Sequence, residues 1–591
     1  MIEEAAPGIA VVRDTCNVYV LRNGREGVVV DFGSGAVLDR LGELGLDRIT
    51  DVLVTHHHRD QVQGLARAAA HGARIWVPPL EEHLIAGVDR HWQERRVDRD
   101  YDLSDDRFAL REPVPVTGAV AENRTVDVGG FDVYTLPTPG HTIGSVTYLV
   151  TAGGRRVAFT GDLVYGNGQL WSLAATQWTY SGIEGQASTL ESAYVLAGLE
   201  PAVLLPSHGP VIDDVQQSLV TMQERLIELI DLRLGASSGM RERLASPFEE
   251  VTPHLLRNRV SFANSHVLLS EERAALIIDF GYDTAPWQRP LLWSLDALAE
   301  QFGVESIDAV VTTHYHDDHV AGLNLLRAAR GTEVWSPANV APVLEEPHRY
   351  DLPCLWPEPI AVDRVLELGT PFTWREYELT AYPFPGHTLY AAAIAFEVDG
   401  KRVVATGDQY AFEENGRRLA NYQYRNRFRR GDYVTTAHLL AELQPDLVIS
   451  GHWVPRAVDR DEVAALAPIG ERVRTLHDAL LPEEGFGEEG FGARIEPYRC
   501  AVEPGGAVEL EVTVRNPFAR AERAHVELAL PAGFTGEPAA EDVELSPHGE
   551  GAVRFVVRAS SERVRRARVA ADLTVGDVRF GEQAEALIDI E

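Results

Sequence analysis

Apolar and polar residues alternate near the end of the chain in a way that predicts β-structure. Val508, Leu510, Val512 and Val514 are each separated by one polar or charged residue, and the pattern returns from Val526 to Leu530. Alternation with a period of two, broken by turns such as NPFAR and LPAGF, is typical of antiparallel strands with one buried face. We therefore predict a small all-β sandwich over residues 495–591.

Two apolar segments earlier in the chain continue differently. ITDVLVT, which starts at Ile49, and IDAVVTT, which starts at Ile307, are each followed by a histidine-rich stretch and then by a segment with helical spacing. A short apolar run of this kind favours a buried strand. Each histidine-rich stretch is therefore expected on a loop between a strand and a helix.

These segments belong to a longer internal repeat. NVYVLRNGREGVVVDFGSG from Asn17 matches NSHVLLSEERAALIIDFGYD from Asn264, and PTPGHT, FTGDL and PSHGP of the first copy match PFPGHT, ATGDQ and SGHWV of the second. A repeat of this length indicates two copies of one α/β fold. We place the copies at residues 1–236 and 250–482.

The stretches that follow each copy differ in composition from the copies themselves. Apolar residues from Leu219 to Leu229 recur at helical spacing and predict a helix that ends near Gly235. The polar segment after it, GASSGMRERLASPFEE, is interpreted as a linker. The glycine-rich EEGFGEEGFG, within residues 483–494, predicts a flexible hinge before the sandwich.

The charge of the chain limits its partners. A net charge of −35 and a pI near 5.0 disfavour nucleic acid, because such a chain repels polyanions. No apolar run approaches the roughly 20 residues that cross a bilayer, and the acidic start MIEEAAPGIA does not resemble a signal peptide. We therefore expect a cytoplasmic protein that does not bind a membrane.

The histidine-rich loop of the second copy carries a cluster of potential metal ligands. It reads His314-Tyr315-His316-Asp317-Asp318-His319, and later Gly-His, Gly-Asp and Gly-His pairs supply His387, Asp408 and His452. Imidazole and carboxylate together suit zinc, iron or manganese, and two such ions need about seven donors. Tight turns after strands often need positive φ, which explains Gly386, Gly407 and Gly451 before three of the ligands.

The HxHxDH pattern and the order of the later elements resemble the metallo-β-lactamase superfamily, and its glyoxalase-II-like hydrolases in particular. The resemblance implies an α/β chain of two tandem αββα sandwiches, followed by the all-β sandwich, which resembles the Ig-like modules of bacterial enzymes. It further implies two zinc ions in the second copy, with iron or manganese as alternatives. The ligands would be His314, His316 and His387 for one ion, Asp318, His319 and His452 for the other, and Asp408 as the bridge.

Two such ions would depress the pKa of water, so that a metal-bridged hydroxide attacks an electrophilic carbon or phosphorus. Asp318 and Asp408 are the predicted catalytic residues. The implied function is hydrolysis of an ester, thioester, lactone or similar bond in a small molecule. The sequence does not specify an oligomeric state.

The first copy departs from this pattern at one ligand. Gln61 stands where the second copy has His319, and glutamine is a weak donor to transition metals. Arg59 would further disfavour a second cation if it pointed inward. Three states stay open: one bound ion, two weakly bound ions, or an emptied structural domain. The remaining candidate ligands are His56, His58, Asp60, His141, Asp162 and His208.

A basic and aromatic segment lies between Asp408 and His452. If its arginines face the metals, they would favour an anionic substrate, because guanidinium binds carboxylate or phosphate through two parallel hydrogen bonds. The alternative is that they pair with surface acids such as Glu413 and Glu414. The candidate substrate-binding residues are Tyr410, Tyr422, Tyr424, Arg425 and Arg427.

Two other functions stay open at this point. One is a mononuclear-iron sulfur dioxygenase, an activity found among proteins with a glyoxalase-II-like fold. The other is a scaffold or binding protein with a vestigial metal site, in which the first copy and the sandwich recruit partners.

Overall fold

The computed structural model describes residues 2–95, 106, 108–172, 184–234, 239–283, 292–412, 418–487 and 491–590. The chain divides into two compact units, of which the first is built on Met1–Pro247 and the second begins at Phe248. In the described parts of the chain, no helix combines the length and the apolar character needed to cross a bilayer.

Two sheets face each other in the first unit. The larger sheet consists of β1 (Ile2–Ala6), β2 (Ile9–Arg13), β3 (Asn17–Asn23), β4 (Glu26–Val30), β5 (Arg48–Leu53), β6 (Arg74–Val77) and β7 (Gly118–Ala119), in that order. The smaller sheet has the order β12-β11-β10-β9-β8 and consists of β8 (Thr125–Val128), β9 (Phe131–Pro137), β10 (Val146–Ala152), β11 (Arg155–Gly161) and β12 (Val203–Pro206). Side chains from both sheets, such as Val30 and Phe159, share one buried core.

Helices cover the outer faces of these sheets. Val52 of the larger sheet and Leu65 of a helix belong to a second core, and Ser192 of another helix donates a hydrogen bond to the Pro139 carbonyl after β9. The layers therefore follow the predicted αββα order. The helices are α1 (Leu41–Leu44), α2 (Arg59–Val62), α3 (Leu65–His71), α4 (Val88–Glu94), α5 (Glu184–Gly198), α6 (Val215–Leu234) and α7 (Met240–Ala245).

The segment interpreted as a linker is largely folded. Residues 235–238 lie outside the described part, but α7 follows them, and Met240 and Leu244 are buried in it. Phe248 then begins the first strand of the second unit. Charged neighbours hide these apolar residues in the sequence, so the segment resembles a linker although it contributes to both units.

The second unit begins with the same arrangement of sheets. Its larger sheet consists, in order, of β13 (Phe248–Thr252), β14 (Leu255–Asn258), β15 (His266–Leu269), β16 (Ala274–Ile278), β17 (Ser306–Val311), β18 (Glu333–Pro337) and β19 (Arg364–Leu366). The facing sheet consists, in order, of β20 (Pro371–Trp374), β21 (Tyr377–Pro383), β22 (Ala392–Val398), β23 (Lys401–Ala405), β26 (Leu447–Ile449) and β27 (Arg456–Ala457), and β24 (Tyr410–Phe412) pairs with β25 (Arg418–Ala420).

Helices again lie on both outer faces of this pair of sheets. Ile277 packs in a core with Leu326 on one side, Val404 packs with Leu440 on the other, and Leu276 and Ile394 meet between the sheets. The helices are α8 (Leu292–Phe302), α9 (Asp317–Val320), α10 (Leu323–Arg330), α11 (Ala341–Glu345), α12 (Asp432–Leu443), α13 (Arg460–Ala464) and α14 (Leu466–Leu480).

The end of the chain forms two further sheets, as the alternating pattern predicts. One has the order β28 (Ala493–Glu496), β30 (Ala507–Arg515), β34 (Glu550–Arg558) and β32 (Thr535–Glu537). The other has the order β29 (Arg499–Val502), β36 (Val578–Ile590), β35 (Val564–Val575), β31 (Glu522–Ala529) and β33 (Ala540–Leu545). Leu510 and Val569 belong to the core between them.

The described part of the glycine-rich stretch contacts this sandwich. The ring centroids of Phe486 and Phe580 are 4.7 Å apart, and a Cβ atom at Gly492 would lie 2.3 Å from Phe486. Glycine therefore allows the backbone to pass close to the aromatic ring. Phe486 is thus packed on the sandwich, residues 488–490 lie outside the described part, and the hinge stays a prediction.

Candidate metal centres

Four loops at the carboxyl ends of strands bring the candidate ligands of the second unit together. The loop after β17 carries His314 and His316, the short helix α9 that follows it carries Asp318 and His319, and the loops after β21, β23 and β26 carry His387, Asp408 and His452. These strands lie in two facing sheets, so their carboxyl ends meet at one edge of the unit.

The first group of donors consists of three histidines and one aspartate. Ligand atoms of His314, His316, His387 and Asp408 all lie within 4.8 Å of one another. His387 Nε2 is 3.2 Å from His316 Nδ1 and 3.6 Å from Asp408 Oδ2. This spacing matches the first predicted ligand set.

The second group is formed by Asp318, His319 and His452, whose ligand atoms meet the same distance limit. His452 Nε2 is 3.2 Å from Asp318 Oδ2 and 3.0 Å from Asp408 Oδ2, and His319 Nε2 is 3.3 Å from Asp408 Oδ1. Asp408 therefore faces both groups.

Several buried atoms at this point make no hydrogen bond. Among the described residues, these include His314 Nε2, His319 Nε2 and Asp408 Oδ1. A buried polar atom without a partner costs about 1–3 kcal/mol, so such atoms need an explanation. Imidazole nitrogens and a carboxylate oxygen that converge without hydrogen bonding fit a divalent transition ion such as zinc.

Burial keeps the three histidines of the first group in the neutral form that binds a metal. It lowers the pKa of His316 to about 3 and lowers the pKa of His314 and His387 below the usual range, so all three are neutral at pH 7. Burial alone would raise the pKa of Asp408, but the charge of the nearby His319 and a hydrogen bond from His452 hold it well below its ordinary value. Asp408 is therefore a carboxylate.

These ligands are oriented by further residues, which were not among the candidates predicted from the sequence. Asp279 Oδ2 is 2.8 Å from His319 Nδ1, and the amide of Asn426 is 3.0 Å from His316 Nε2. His387 Nδ1 is 2.7 Å from the Asn421 carbonyl. Partners of this kind fix the tautomer and the direction of a metal-binding histidine. The repeated Asp-Phe-Gly, which places Asp31 and Asp279 at matching positions, was the available signal for Asp279.

Glycine is required before the ligands for two different structural reasons. Gly386 and Gly407 have φ values of 142° and 52°, as predicted. Gly451 is not among the residues with positive φ; instead, a Cβ atom there would lie 2.0 Å from Asp408 Oδ1 and 2.5 Å from His319 Cε1. Space, rather than backbone conformation, requires glycine at this position.

The first unit retains a group of three histidines. Ligand atoms of His56, His58 and His141 lie within 4.8 Å of one another, and Asp162 Oδ2 is 3.6 Å from His56 Nε2. His56 Nε2 is buried and makes no hydrogen bond in the described part of the chain. This group fits one ion by the same reasoning as in the second unit.

The other predicted ligands of the first unit are hydrogen-bonded to one another. His208 Nδ1 is 2.9 Å from Asp162 Oδ1, and His208 Nε2 is 3.1 Å from Asp60 Oδ2. Gln61 Nε2 donates to Asp162 Oδ2 at 3.3 Å. Arg59 points away from them, because its guanidinium donates to the Ala109 carbonyl.

The sequence profile of the metallo-beta-lactamase superfamily matches residues 11–208 and 258–452, which is more than half of the chain and covers both histidine groups. The chain belongs to the metallo-beta-lactamase superfamily.

Relatives of this metallo-β-lactamase chain include known hydrolases. An uncharacterized protein of Mycobacterium tuberculosis is 30% identical over 33% of this chain and 86% of its own length. A hydroxyacylglutathione hydrolase of Acidiphilium cryptum is 27% identical over 38% and 80%, and a thioesterase of Emericella nidulans is 27% identical over 36% and 51%. Among solved structures, a metallo-beta-lactamase mutant from Cronobacter sakazakii has a TM-score of 0.31 at 18% identity, covering 39% of this chain and 97% of its own. The chain is a hydrolase of the metallo-β-lactamase fold.

The predicted substrate residues occupy different surroundings in the second metallo-β-lactamase unit. Tyr410 is 1% exposed and its hydroxyl is 3.0 Å from Thr436 Oγ1, so its ring lies in the core and offers no surface to a substrate. Tyr422 packs against Phe428. Tyr424 is 54% exposed, and its hydroxyl is 3.0 Å from His477 Nε2.

Several arginines of the basic segment pair with acids. Arg425 lies 3.2 Å from Asp351, Arg430 lies 2.7 Å from Asp478, and Arg418 lies 2.5 Å from Glu462. Pairing with acids therefore accounts for these three, at the surface for Arg425 and Arg430 and in a partly buried place for Arg418. The acids named in the alternative, Glu413 and Glu414, lie outside the described residues.

Proposed function

We propose that the second unit is a two-zinc hydrolase that cleaves the thioester bond of a small acyl compound. The observation that carries this proposal is the position of Asp408: Oδ1 is 3.3 Å from His319 Nε2, and Oδ2 is 3.6 Å from His387 Nε2. A carboxylate that faces both donor groups is placed to bridge two ions. The relatives favour a thioester, since they include a thioesterase and a hydroxyacylglutathione hydrolase.

We further propose that the two units are tandem copies of one domain and that the sandwich is an Ig-like module. Matching backbone hydrogen bonds support the copies: Phe32 N donates to the Gln61 carbonyl at 2.9 Å, and Phe280 N donates to the His319 carbonyl at 2.8 Å. The border between the copies then lies near Phe248.

Zinc held by the two donor groups would supply a water whose pKa is lowered to about 7 and would polarise the carbonyl of the substrate. Asp318 is the residue that receives the proton. Burial alone would raise the pKa of Asp318, but the charge of His319 and a hydrogen bond from His452 hold it below its ordinary value. Asp318 is thus ionised at neutral pH, and its carboxylate can accept the proton that the attacking water releases.

The polar part of the substrate is assigned to a cavity lined by Arg425 and Arg427, the neighbours of Asn426 in sequence. The cavity has a volume of about 320 Å³. Its charged lining residues are Arg425, Arg427, Arg494, Arg515, Asp351, Glu496, Glu582 and Glu585. Asn426, which lies between the first two arginines in sequence, contacts His316. The segment therefore joins the cavity to the metal ligands.

The sandwich is fixed at this cavity by polar contacts. Arg349 Nε is 2.7 Å from Glu496 Oε2, and Tyr498 N donates to the Arg349 carbonyl at 2.9 Å. We propose that Arg427 binds a carboxylate or phosphate of the substrate, because guanidinium matches the geometry of these groups. The substrate class is then an anionic acyl thioester.

The test measures metal content and thiol release together. The purified full-length protein is loaded with zinc, analysed by mass spectrometry, and assayed with a panel of acyl thioesters, oxygen esters and lactones, using a thiol reagent for the thioesters. The expected result is zinc-dependent thiol release that Asp408→Asn abolishes.

Hydrolysis of oxygen esters or lactones with no thiol release would contradict the thioester assignment. Iron in the purified protein together with oxygen uptake on a persulfide would instead support the dioxygenase alternative. Arg472→Met provides a control, since Arg472 is exposed on α14.

A further inference from the structure

Gly451 in the second unit shows a steric requirement of the second ion site. A Cβ atom at Gly451 would lie 2.0 Å from Asp408 Oδ1 and 2.5 Å from His319 Cε1. Real Cβ atoms do not approach other atoms so closely, so a residue larger than glycine cannot stand here while His319 holds its place. The histidine ligand and the glycine therefore depend on each other.

In the first unit both members of this pair are different. Gln61 corresponds to His319, because their carbonyls accept the matching hydrogen bonds from Phe32 and Phe280. Ser207 corresponds to Gly451: Ser207 N donates to the Gly161 carbonyl at 2.8 Å, and Gly451 N donates to the Gly407 carbonyl at 2.9 Å.

The new side chains take over the contacts of the missing ligand. Asp279 holds Nδ1 of His319 in the second unit, but its counterpart Asp31 accepts a hydrogen bond from the Ser207 hydroxyl at 2.5 Å. Gln61 donates to Asp162, the counterpart of Asp408. Asp31 and Asp162, the carboxylates that would orient and share a second ion, thus already accept hydrogen bonds from other side chains of the first unit.

His208, the remaining candidate ligand of the second ion position in the first unit, also contacts carboxylates. Both ring nitrogens of His208 face carboxylates, Nδ1 toward Asp162 at 2.9 Å and Nε2 toward Asp60 at 3.1 Å. Its ring stacks on Trp171 with centroids 4.1 Å apart and planes 7° apart. In the second unit, by contrast, one nitrogen of His452, Nε2, faces both Asp318 and Asp408.

The first ion position of the first unit retains its histidine donors. His56 and His58 are buried, and within the described part of the chain His56 Nε2, which lies 3.6 Å from Asp162 Oδ2, has no hydrogen-bond partner. His141 Nε2 is 3.0 Å from His58 Nδ1 and 3.5 Å from Asp162 Oδ2. Unpaired, buried imidazole nitrogens of this kind fit a single divalent transition ion.

We propose that the first unit is a one-metal site whose second position is closed by Gln61 and Ser207 acting as a pair. The closure is specific, so it can be reversed: Gln61→His supplies the missing ligand, and Ser207→Gly supplies the room for it. Gln61→His alone would meet the Cβ atom of Ser207, as His319 would meet a Cβ atom at Gly451. The two substitutions are therefore expected to act only together.

The experiment counts zinc ions per full-length chain by native mass spectrometry after loading and dialysis. The wild-type protein is expected to hold about three ions, two in the second unit and one in the first. Gln61→His/Ser207→Gly is expected to hold about four, while Gln61→His alone stays at about three. His56→Ala, in the first unit, is expected to reduce the wild-type count by one.

The reciprocal variant keeps the test decisive if the first fails to fold. His319→Gln/Gly451→Ser places the residues of the first unit in the second and is expected to reduce the count by one, with folding checked by the melting temperature. Four ions in the wild-type protein would overturn the proposal, and so would two ions that His56→Ala leaves unchanged. A double variant that folds but stays at three ions would refute the pairing of Gln61 with Ser207.

These counts are independent of the proposed hydrolase activity. A protein that binds three ions but releases no thiol would contradict the proposed function and leave the one-metal site intact. Thiol release by a protein that binds two or four ions would support the proposed function and contradict the one-metal site.

Discussion

The side-chain amide of Asn426 lies 3.0 Å from Nε2 of His316, the ring nitrogen on the far side from the other ligands. His316 offers Nδ1 to the first donor group, 3.2 Å from His387 Nε2. A ring that binds a metal through Nδ1 carries its proton on Nε2, which then needs an acceptor. In the structure Asn426 Nδ2 faces His316 and Oδ1 accepts from the Tyr315 hydroxyl at 2.9 Å. Exchanging the two ends of the amide, which are alike in shape, turns the oxygen toward His316 as that acceptor and lets Nδ2 donate to the Tyr315 hydroxyl.

Replacing Asn426 by leucine is therefore expected to weaken zinc binding by about 10- to 100-fold, because the proton on His316 loses its acceptor. Competition with a chromophoric chelator measures the affinity. Asn426→Asp restores an acceptor of the same shape and should bind zinc as tightly as the wild-type protein. Equal affinities for the leucine and wild-type proteins would show that Asn426 does not orient His316.

The two units are expected to respond differently to loss of a ligand. His316→Ala and Asp408→Ala should reduce kcat/KM by roughly 10³-fold, which corresponds to about 4 kcal/mol of transition-state stabilisation. His58→Ala, at the matching place in the first unit, should leave most of the activity. Equal losses in both units would refute this division, and steady-state kinetics on zinc-loaded protein decides.

Arg427 is expected to act on substrate binding rather than on the chemical step. Arg427→Met removes a charged hydrogen-bond donor from the cavity, a loss of about 1.5–3 kcal/mol. KM for an anionic thioester should rise about 10- to 100-fold with little change in kcat. KM for a neutral thioester should change much less, and Arg472→Met should change neither. A fall in kcat alone would argue against the proposed binding role.

Asp279 and Asp31 stand at matching positions and accept hydrogen bonds from matching threonines, Thr313 and Thr55, but their other partners differ. Asp279→Asn weakens the hold on His319, so we expect the second unit to bind one of its ions about 10- to 100-fold more weakly. Asp31 accepts a hydrogen bond from Ser207 where Asp279 faces His319. Asp31→Asn should therefore leave the zinc count unchanged, and a loss of zinc from this variant would contradict the assigned contacts.

The main ligands could be predicted because their positions follow from local sequence. His314, His387 and Asp408 come directly after apolar strands, and the repeat doubles the evidence for each strand. The partners of these ligands could not be predicted in the same way. Asn426 reaches His316 from a segment more than a hundred residues away, and only the folded chain brings the two together.

Burial was the least predictable property of single residues. Tyr410 follows a ligand closely in sequence, which suggested a place at the site, but it lies in the core beside Tyr433. Phe486 stands among glycines that indicated a hinge, yet it packs on Phe580. In both cases a distant part of the chain provides the packing surface, and no local pattern records it.

The crowding at Gly451 also constrains the order in which such a chain can change. A serine that arises first at that position collides with a histidine that is still in use, whereas a glutamine that replaces the histidine first leaves the space open. Descent from a two-ion ancestor to the present first unit would thus pass through the glutamine step before the serine step. The reverse change needs glycine at this position before the histidine can return. In both directions, therefore, the order of the two substitutions is fixed.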